Sequence, residues 1–378
     1  MFKKYYSEFL AANNYIHMAA HSHHYWPDIT KQATLDYWRD SRDLVDAKWE
    51  KIMGEVVPKS QELISKILNL KNPKQIAFAS NTHELFARLL SCFPQSDLKI
   101  LTTDCEFHSA SRQLKRYNEE PGVSVNFIPA QSEEFQENFL KEVSEGAYDL
   151  ICLSQVFFNS GKSLDMGLIE KIIENKASNT VLVLDGYHGF CAVPTDLSNV
   201  ENDLFYMAGA YKYAQGGEGM CFMTIPEGCN LRPLNTGWFA SFETLERKTD
   251  NVEYADDAQR FAGSTRDFCA HYRFNAVWEQ FLKDKVTVDI LHAHIQELQS
   301  FFLEGLDYNF TNTDLNTQGH FLTIECESES HAKKLYEGLK SSGVLTDYRA
   351  NKLRFGFGAY LDKQDVQFVK KTLKLKLK

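Results

Sequence analysis

The sequence predicts an α/β protein: a mostly parallel, seven-stranded sheet with helices on both faces, followed by a smaller C-terminal α+β domain. Three observations predict it. Seven short apolar runs between residues 76 and 225 are continuous rather than alternating, the mark of strands buried on both faces. Helical patterns separate most of them, as in a chain of βαβ units. Beyond about residue 265 the order changes to a short series of strand, helix, strand, strand and helix. On this reading residues 1–20 are an N-terminal segment packing on the small domain, 21–268 form the large domain and 269–378 the small one.

The chain of 378 residues is long enough for two domains. A formal net charge of −10 argues against a general nucleic-acid or anionic-membrane surface. The eight cysteines make no C-x-x-C pair, and Cys152 and Cys221 fall inside apolar runs. They read as reduced core thiols in a reducing compartment. The opening residues MFKKYYSEFLAANNY lack the apolar centre of a secretory signal, and no apolar run approaches the length of a membrane span. A cytoplasmic protein is expected.

In order, Phe2 to Ala12 suits a short amphipathic helix. Pro27-Asp28 opens a long one from about Ile29 to Ile52, with Leu35, Trp38, Leu44, Val45 and Trp49 at helical intervals. Val57 to Leu68 follows. The strands are expected at Ile76–Ala79, Lys99–Thr103, Val123–Ile128, Asp149–Leu153, Val181–Leu184, Leu204–Met207 and Met220–Ile225. Ser80-Asn81-Thr82 caps a helix from His83 to Cys92, and a helix N-terminus suits a phosphate as well as a plain cap. Further helices are expected around Phe135–Val143 and Leu168–Asn175, and one long helix from Phe274 to Leu291 that continues towards Phe302. Loops cover Leu234–Lys248 and Tyr254–Phe268. The tail predicts strands at His320–Glu325, Leu345–Tyr348 and Leu353–Phe357, with helices at Ser330–Leu339 and from Asp362.

Sheets of this kind bind ligands beyond the carboxyl ends of their strands. Asn81-Thr82, Phe107-His108, Gln155, Asp185 and His188 all fall just after strand ends, so one crevice is expected to collect them. Lys212 follows an apolar strand, stands among small and aromatic residues, and precedes the glycine-rich turn Gly216, Gly217, Gly219. A lysine buried there loses proton affinity and becomes a base or nucleophile; a solvated surface lysine is the alternative. The histidines at 17, 21, 23 and 24 lack the carboxylate or cysteine spacing of a zinc site, so lining of a loop or active site is expected and no metal. Gly161-Lys162-Ser163 has Val156 where a P-loop needs its first glycine, which rejects a nucleotide-triphosphatase reading.

From about residue 16 to 360 the chain resembles the fold-type I pyridoxal-phosphate (PLP) enzymes of the class V aminotransferase superfamily, kynureninases above all. Asp185-Gly186-Tyr187-His188 matches the D-x-x-H whose Asp meets the pyridine nitrogen. Ala210-Tyr211-Lys212-Tyr213 resembles the kynureninase S-Y-K-Y, in which Lys carries the Schiff base and Tyr binds phosphate. Ser80-Asn81-Thr82 resembles the phosphate cup, Glu106-Phe107-His108 the segment with the ring that stacks on PLP, and Gly237-Trp238-Phe239 a G-W-F that adds Trp238 to the phosphate site. Gly263-Ser264-Thr265 falls where the family has a loop reaching the partner subunit's cofactor. Arg354 resembles the arginine that binds the substrate carboxylate.

The resemblance implies an aspartate-aminotransferase-like fold, pyridoxal 5'-phosphate as cofactor, a small amino-acid substrate and a homodimer with shared active sites. It implies Lys212, Asp185 and Tyr211 as catalytic residues. Asn81, Thr82, Phe107, His188, Trp238 and Thr265 join them as cofactor ligands, and Arg354 as the substrate ligand; His21 and His108, where the chain departs from the family pattern, are expected to line the substrate pocket. The activity implied is that of an aminotransferase or a kynureninase-like hydrolase, in which substrate amine displaces Lys212 from the Schiff base. A racemase or epimerase, another lyase, or a non-catalytic binding protein on the same fold are the alternatives. Ala210 stands where many relatives have Ser or Thr, HSHH replaces a small glycine-containing turn, and Phe355–Tyr360 lacks a proline found in many kynureninases. A cysteine desulfurase fits less well, because the segment Thr311 to Gly319 contains no cysteine.

Overall fold

A computed structural model describes residues 2–244 and 250–376. The chain opens with a 3-10 turn (Phe2–Tyr5), helix α1 (Ser7–Ala12) and a two-residue strand β1 (Ile16–His17). Helix α2 (Ile29–Leu44) leads through the short α3 (Lys48–Lys51) and a π turn (Ile52–Val56) into α4 (Val57–Leu68). Asn69 closes α4 in the left-handed conformation, its N–H donating to the Ser65 carbonyl.

Strands and helices then alternate as expected: β2 (Ile76–Ala79), α5 (Thr82–Leu90), β3 (Leu98–Thr103), α6 (His108–Tyr117), β4 (Val123–Ile128), α7 (Phe135–Glu145), β5 (Leu150–Ser154), α8 (Met166–Asn175), β6 (Val181–Asp185), β7 (Phe205–Gly209) and β8 (Cys221–Thr224). The seven strands lie in the order β2-β8-β7-β6-β5-β3-β4. Strand β8 is antiparallel to both β2 and β7, and the other neighbours are parallel. The remaining six strands therefore point their carboxyl ends at one edge. Alternate residues feed two cores: Ile151 and Leu153 pack on one face of the sheet, Leu150 and Cys152 on the other. Both faces are covered, which is why the strand sequences carry no polar alternation.

The C-terminal part comprises α9 (Cys269–Lys283), α10 (Val288–Leu303), β9 (Phe321–Glu325), α11 (Glu329–Ser341), β10 (Val344–Leu345), β11 (Asp347–Arg349), β12 (Lys352–Gly356) and α12 (Lys363–Lys376). Strands β11, β12 and β9 form an antiparallel sheet, and β1 pairs with β10 in parallel. The N-terminal segment is thus tied to the C-terminal unit. Gly356 makes the second tie, donating its N–H to the Met18 carbonyl. A Cβ at 356 would stand 2.2 Å from the His21 ring and 2.8 Å from the Ala20 nitrogen, so only glycine permits this approach.

Three expectations change. The helix expected from Ile29 to Ile52 stops at Leu44, where Val45 turns with φ 51°. The single helix from Phe274 towards Phe302 is two: α9 ends at Lys283, Lys285 turns with φ 58°, and Thr287 caps α10 by accepting from Ile290 N–H. Helical spacing continues through 284–287, and only the cap chemistry marks the break. In α2 the apolar residues Leu35, Trp38 and Leu44 are exposed, as is Val45 beyond its end. The helix packs on α9 instead through the small Ala33 and through Tyr37, whose ring lies 5.3 Å from that of Tyr272. Among the described residues no helix is long and apolar enough to cross a membrane. The eight cysteines are all free.

Candidate active site

A cavity of about 430 Å³ opens at the carboxyl edge of the sheet. That is within the roughly 300–1,000 Å³ of small-molecule pockets. Asn81, Thr82, Phe107, Asp185, His188, Tyr211 and Lys212 all line it, as the strand-end argument requires.

Lys212 sits in the loop after β7, and the sharp turn that follows needs glycine, with φ 74° at Gly217 and 103° at Gly219. The turn folds the loop back so that Gly216 N–H reaches the Ala210 carbonyl. Lys212 is buried, its Nζ 2.5 Å from His188 Nε2, 5.4 Å from the centre of the Phe107 ring and 5.2 Å from that of Tyr187. Burial lowers the amine to about 7, against the pull of Asp185. Burial also raises the Asp185 carboxyl, opposed by the Tyr187 N–H that donates to Oδ1 at 2.9 Å and by Lys212. His188 is driven well below its ordinary range by burial and by the neighbouring Lys212, so it is neutral.

At the opposite wall, Asn81 caps α5 by accepting from the Glu84 N–H at 2.9 Å. The first turn of a helix presents N–H groups that the helix does not use, at the positive end of its dipole. Thr82 and His83, in that turn, line the cavity. Phe107 is a partly exposed ring that reaches in from the start of α6. Tyr211 is half-buried, its hydroxyl 3.3 Å from His23 Nδ1.

Other expected residues lie elsewhere. Trp238 does not line this cavity; it is half-exposed and packs on Phe239 and Phe242. Thr265 borders a separate polar cavity of about 330 Å³ with Ser80 and Arg88. His108 packs its ring on Phe158, 4.9 Å away, and stays outside. Gln155 turns into the interior, accepting from the Tyr206 hydroxyl and donating to Thr195. Arg354 and His21 are buried beside the site without lining it. His17 and His24 belong to an aromatic cluster with Tyr6, Tyr25 and Tyr360.

The sequence reading overlooked Ser154, Tyr187 and Phe158, which also line the cavity. Ser154 ends β5 in register with Asp185, so the strand-end rule reaches it; Tyr187 lies inside the D-x-x-H segment. Glu106 was also overlooked. It is buried, raised to about 7 by desolvation, and accepts from the Ser154 and Thr103 hydroxyls at 2.6 Å each. It ties the ends of β3 and β5 together beneath Phe107.

The residues present form a chemically consistent set. A buried amine that is about half neutral at pH 7, a carboxylate, a ring face and helix-start N–H groups complement an aromatic aldehyde with a basic ring nitrogen and a phosphate. Comparisons with known proteins agree. No curated protein matches the chain. Among solved structures it is similar to the cystine C-S lyase C-DES, at 16% identity over 97% of this chain and 98% of that one, with a TM-score of 0.84. It is similar to the cysteine desulfurase CsdA of Escherichia coli (14% identity, 98% of each chain, TM-score 0.80) and to the cysteine desulfurase of Thermococcus onnurineus NA1 (14%, 96% and 94%, TM-score 0.79). One C-DES structure carries glycine covalently linked to the PLP cofactor. At these identities the likeness is one of fold. The family model of class-V aminotransferases matches residues 27–369, nearly the whole chain, and the protein therefore belongs to the aminotransferase class-V family, with pyridoxal 5'-phosphate as its cofactor.

Proposed function

We propose that the protein cleaves the bond at the β-carbon of a small amino acid, as a lyase. One observation carries the reading of an amino-acid enzyme: Lys212, buried and lowered to about 7, shares the cavity with Asp185. When bound, pyridoxal phosphate supplies an aldehyde and an electron-accepting ring that labilise the bonds at an amino acid's α-carbon.

The chain's own residues then divide the work. Lys212 Nζ would hold the cofactor and afterwards take the α-proton, because an amine near 7 exchanges protons readily at neutral pH. Asp185 would hold the ring nitrogen in its protonated form, a charged partner that offsets its own cost of burial. Phe107 would pack on one ring face, and the first turn of α5, with Asn81 and Thr82, would receive the phosphate. Neutral His188 would leave the Lys212 amine free of a second positive charge. The Tyr211 hydroxyl, which lines the cavity, would protonate a leaving group.

The choice of a lyase has two supports. The fold likeness to the cystine C-S lyase C-DES supports a lyase, and the motif resemblance to kynureninases, hydrolases that break the bond beyond the β-carbon, supports that position of cleavage. A desulfurase that parks sulfur on its own cysteine fits less well, because none of the eight cysteines lines the cavity. The test is product analysis with cystine, S-alkylcysteines, kynurenine and 3-hydroxykynurenine. Equimolar pyruvate and ammonia from the sulfur substrates supports elimination. A keto acid formed without ammonia, dependent on an added keto-acid acceptor, overturns it in favour of transamination.

A further inference from the structure

We propose that Asp347 is an internal competitor for the Arg354 guanidinium, one that closes the carboxylate subsite to ligands lacking an amine. The inference rests on the reading of Arg354 as the group that receives the substrate carboxylate.

Asp347 and Arg354 face each other across the β11–β12 pair. Arg354 Nη2 donates to Asp347 Oδ2 at 2.6 Å, and the Ser22 hydroxyl donates to the same oxygen at 2.5 Å. Arg354 Nη1 donates to the Phe158 carbonyl at 2.7 Å, and Phe158 lines the cavity. The ion pair is buried, with side-chain exposures of 4% for Arg354 and 13% for Asp347. The guanidinium is therefore already neutralised by a carboxylate of the chain itself.

Three nitrogens beside this pair are buried without a hydrogen-bond partner: Arg354 Nε and both ring nitrogens of His21. His21 Nε2 lies 3.7 Å from Asp347 Oδ2, and its ring stacks on Phe321 at 4.8 Å. An unpartnered buried donor is costly, and Arg354 Nε, a permanent N–H donor, marks a position that a ligand acceptor fills; His21, a neutral ring, offers at most one N–H more. A carboxylate is that acceptor. On arrival it meets the charge of Asp347 in a poorly screened interior, where like charges repel strongly. A ligand held by its carboxylate alone does not overcome this repulsion. An amino acid does, because its amine would gain a second attachment at the cofactor that Lys212 holds. Building repulsion against the wrong ligand is a general route to specificity. When a carboxylate takes the guanidinium, Asp347 keeps the Ser22 hydroxyl and has the unpartnered His21 ring beside it.

The experiment is calorimetric titration of the holoenzyme with propionate, which has the carboxylate and no amine. The expected result is that Asp347→Asn binds propionate about tenfold more tightly than the wild type, the scale of a relieved like-charge contact. Unchanged or weaker binding overturns the proposal and leaves Asp347 as an orienting group. If Asp347→Asn does not fold, Asp347→Ser carries the same test. The double variant with Arg354→Gln separates the two readings. If the gain disappears in it, both stand; if the gain persists, the assignment of Arg354 fails and the competition with it.

Discussion

Lys212 Nζ lies 2.5 Å from His188 Nε2, and neither group carries a full charge at neutral pH in this buried setting. Both come from the stretch that spans β6, β7 and the glycine turn, and both owe their lowered basicity chiefly to burial. Burial is the reason the amine is available as a nucleophile without an external base.

Lys212 should therefore react selectively in the apoprotein. At pH 7 an aldehyde with cyanoborohydride should label Lys212 ahead of the exposed lysines, with half-maximal rate near pH 7. Peptide mapping reads the site. Labelling that rises only above pH 9 (roughly the onset for an ordinary lysine) refutes the lowered basicity. In the holoenzyme, Lys212→Ala should abolish borohydride trapping of the cofactor and reduce turnover by roughly 10²–10⁴-fold, the range for loss of a positioned base.

Glu106 should make stability fall as pH rises from about 4.5 to about 7. Burial lifts its carboxyl to about 7 from an ordinary 4.5. Between these values the folded state keeps a proton that the unfolded state has lost, so folding is favoured on the acid side and the contribution disappears through the folded value. Glu106→Gln should flatten this part of the pH profile of thermal melting relative to the wild type. Identical slopes in the two proteins would show that Glu106 does not titrate there. Glu106→Ala removes the acceptor of two buried hydroxyl donors and should cost about 2–4 kcal/mol.

Asn81→Ala should cost about 1 kcal/mol through loss of the α5 cap. If the first turn of α5 also receives the cofactor phosphate, the same substitution weakens cofactor affinity beyond what the fall in stability explains. Fluorescence titration of the apoprotein with pyridoxal phosphate, beside a chemical melt, gives both numbers.

Arg354→Ala should raise KM for the amino-acid substrate with a smaller effect on kcat, because its contact is with the carboxylate and not with the reacting bond. An unchanged KM removes that role. The variant also strands Asp347, now a buried carboxylate that keeps only the Ser22 hydroxyl, so a loss of stability accompanies the kinetic effect.

Much of the site was legible because strands buried on both faces announce themselves as apolar runs, and the sheet then dictates where ligands sit. Asp185 and Lys212 could be paired from sequence since each terminates or follows such a run. Trp238 was placed at the cofactor by motif, Thr265 at the partner subunit's cofactor, and His108 at the substrate; within one chain all three lie outside the cavity of Lys212. A motif fixes position along the chain; it does not say towards which neighbour a loop folds. Glu106 went unnoticed because a carboxylate after a strand reads as solvent-facing until the Ser154 and Thr103 hydroxyls are seen to close over it.

The sequence by itself determined the strand and helix alternation through local periodicity, the family and the cofactor through motif resemblance, and seven of the residues that line the cavity through strand ends and those motifs. The tertiary structure alone decided the rest. Pairing of β11 with β12 brought Asp347 onto Arg354, and the approach of the N-terminal segment at Gly356 buried His21 beside them. The approach at Gly356 joins segments more than 300 positions apart, and the Asp347–Arg354 pair depends on the register of β11 on β12; neither leaves a periodic trace in a linear chain.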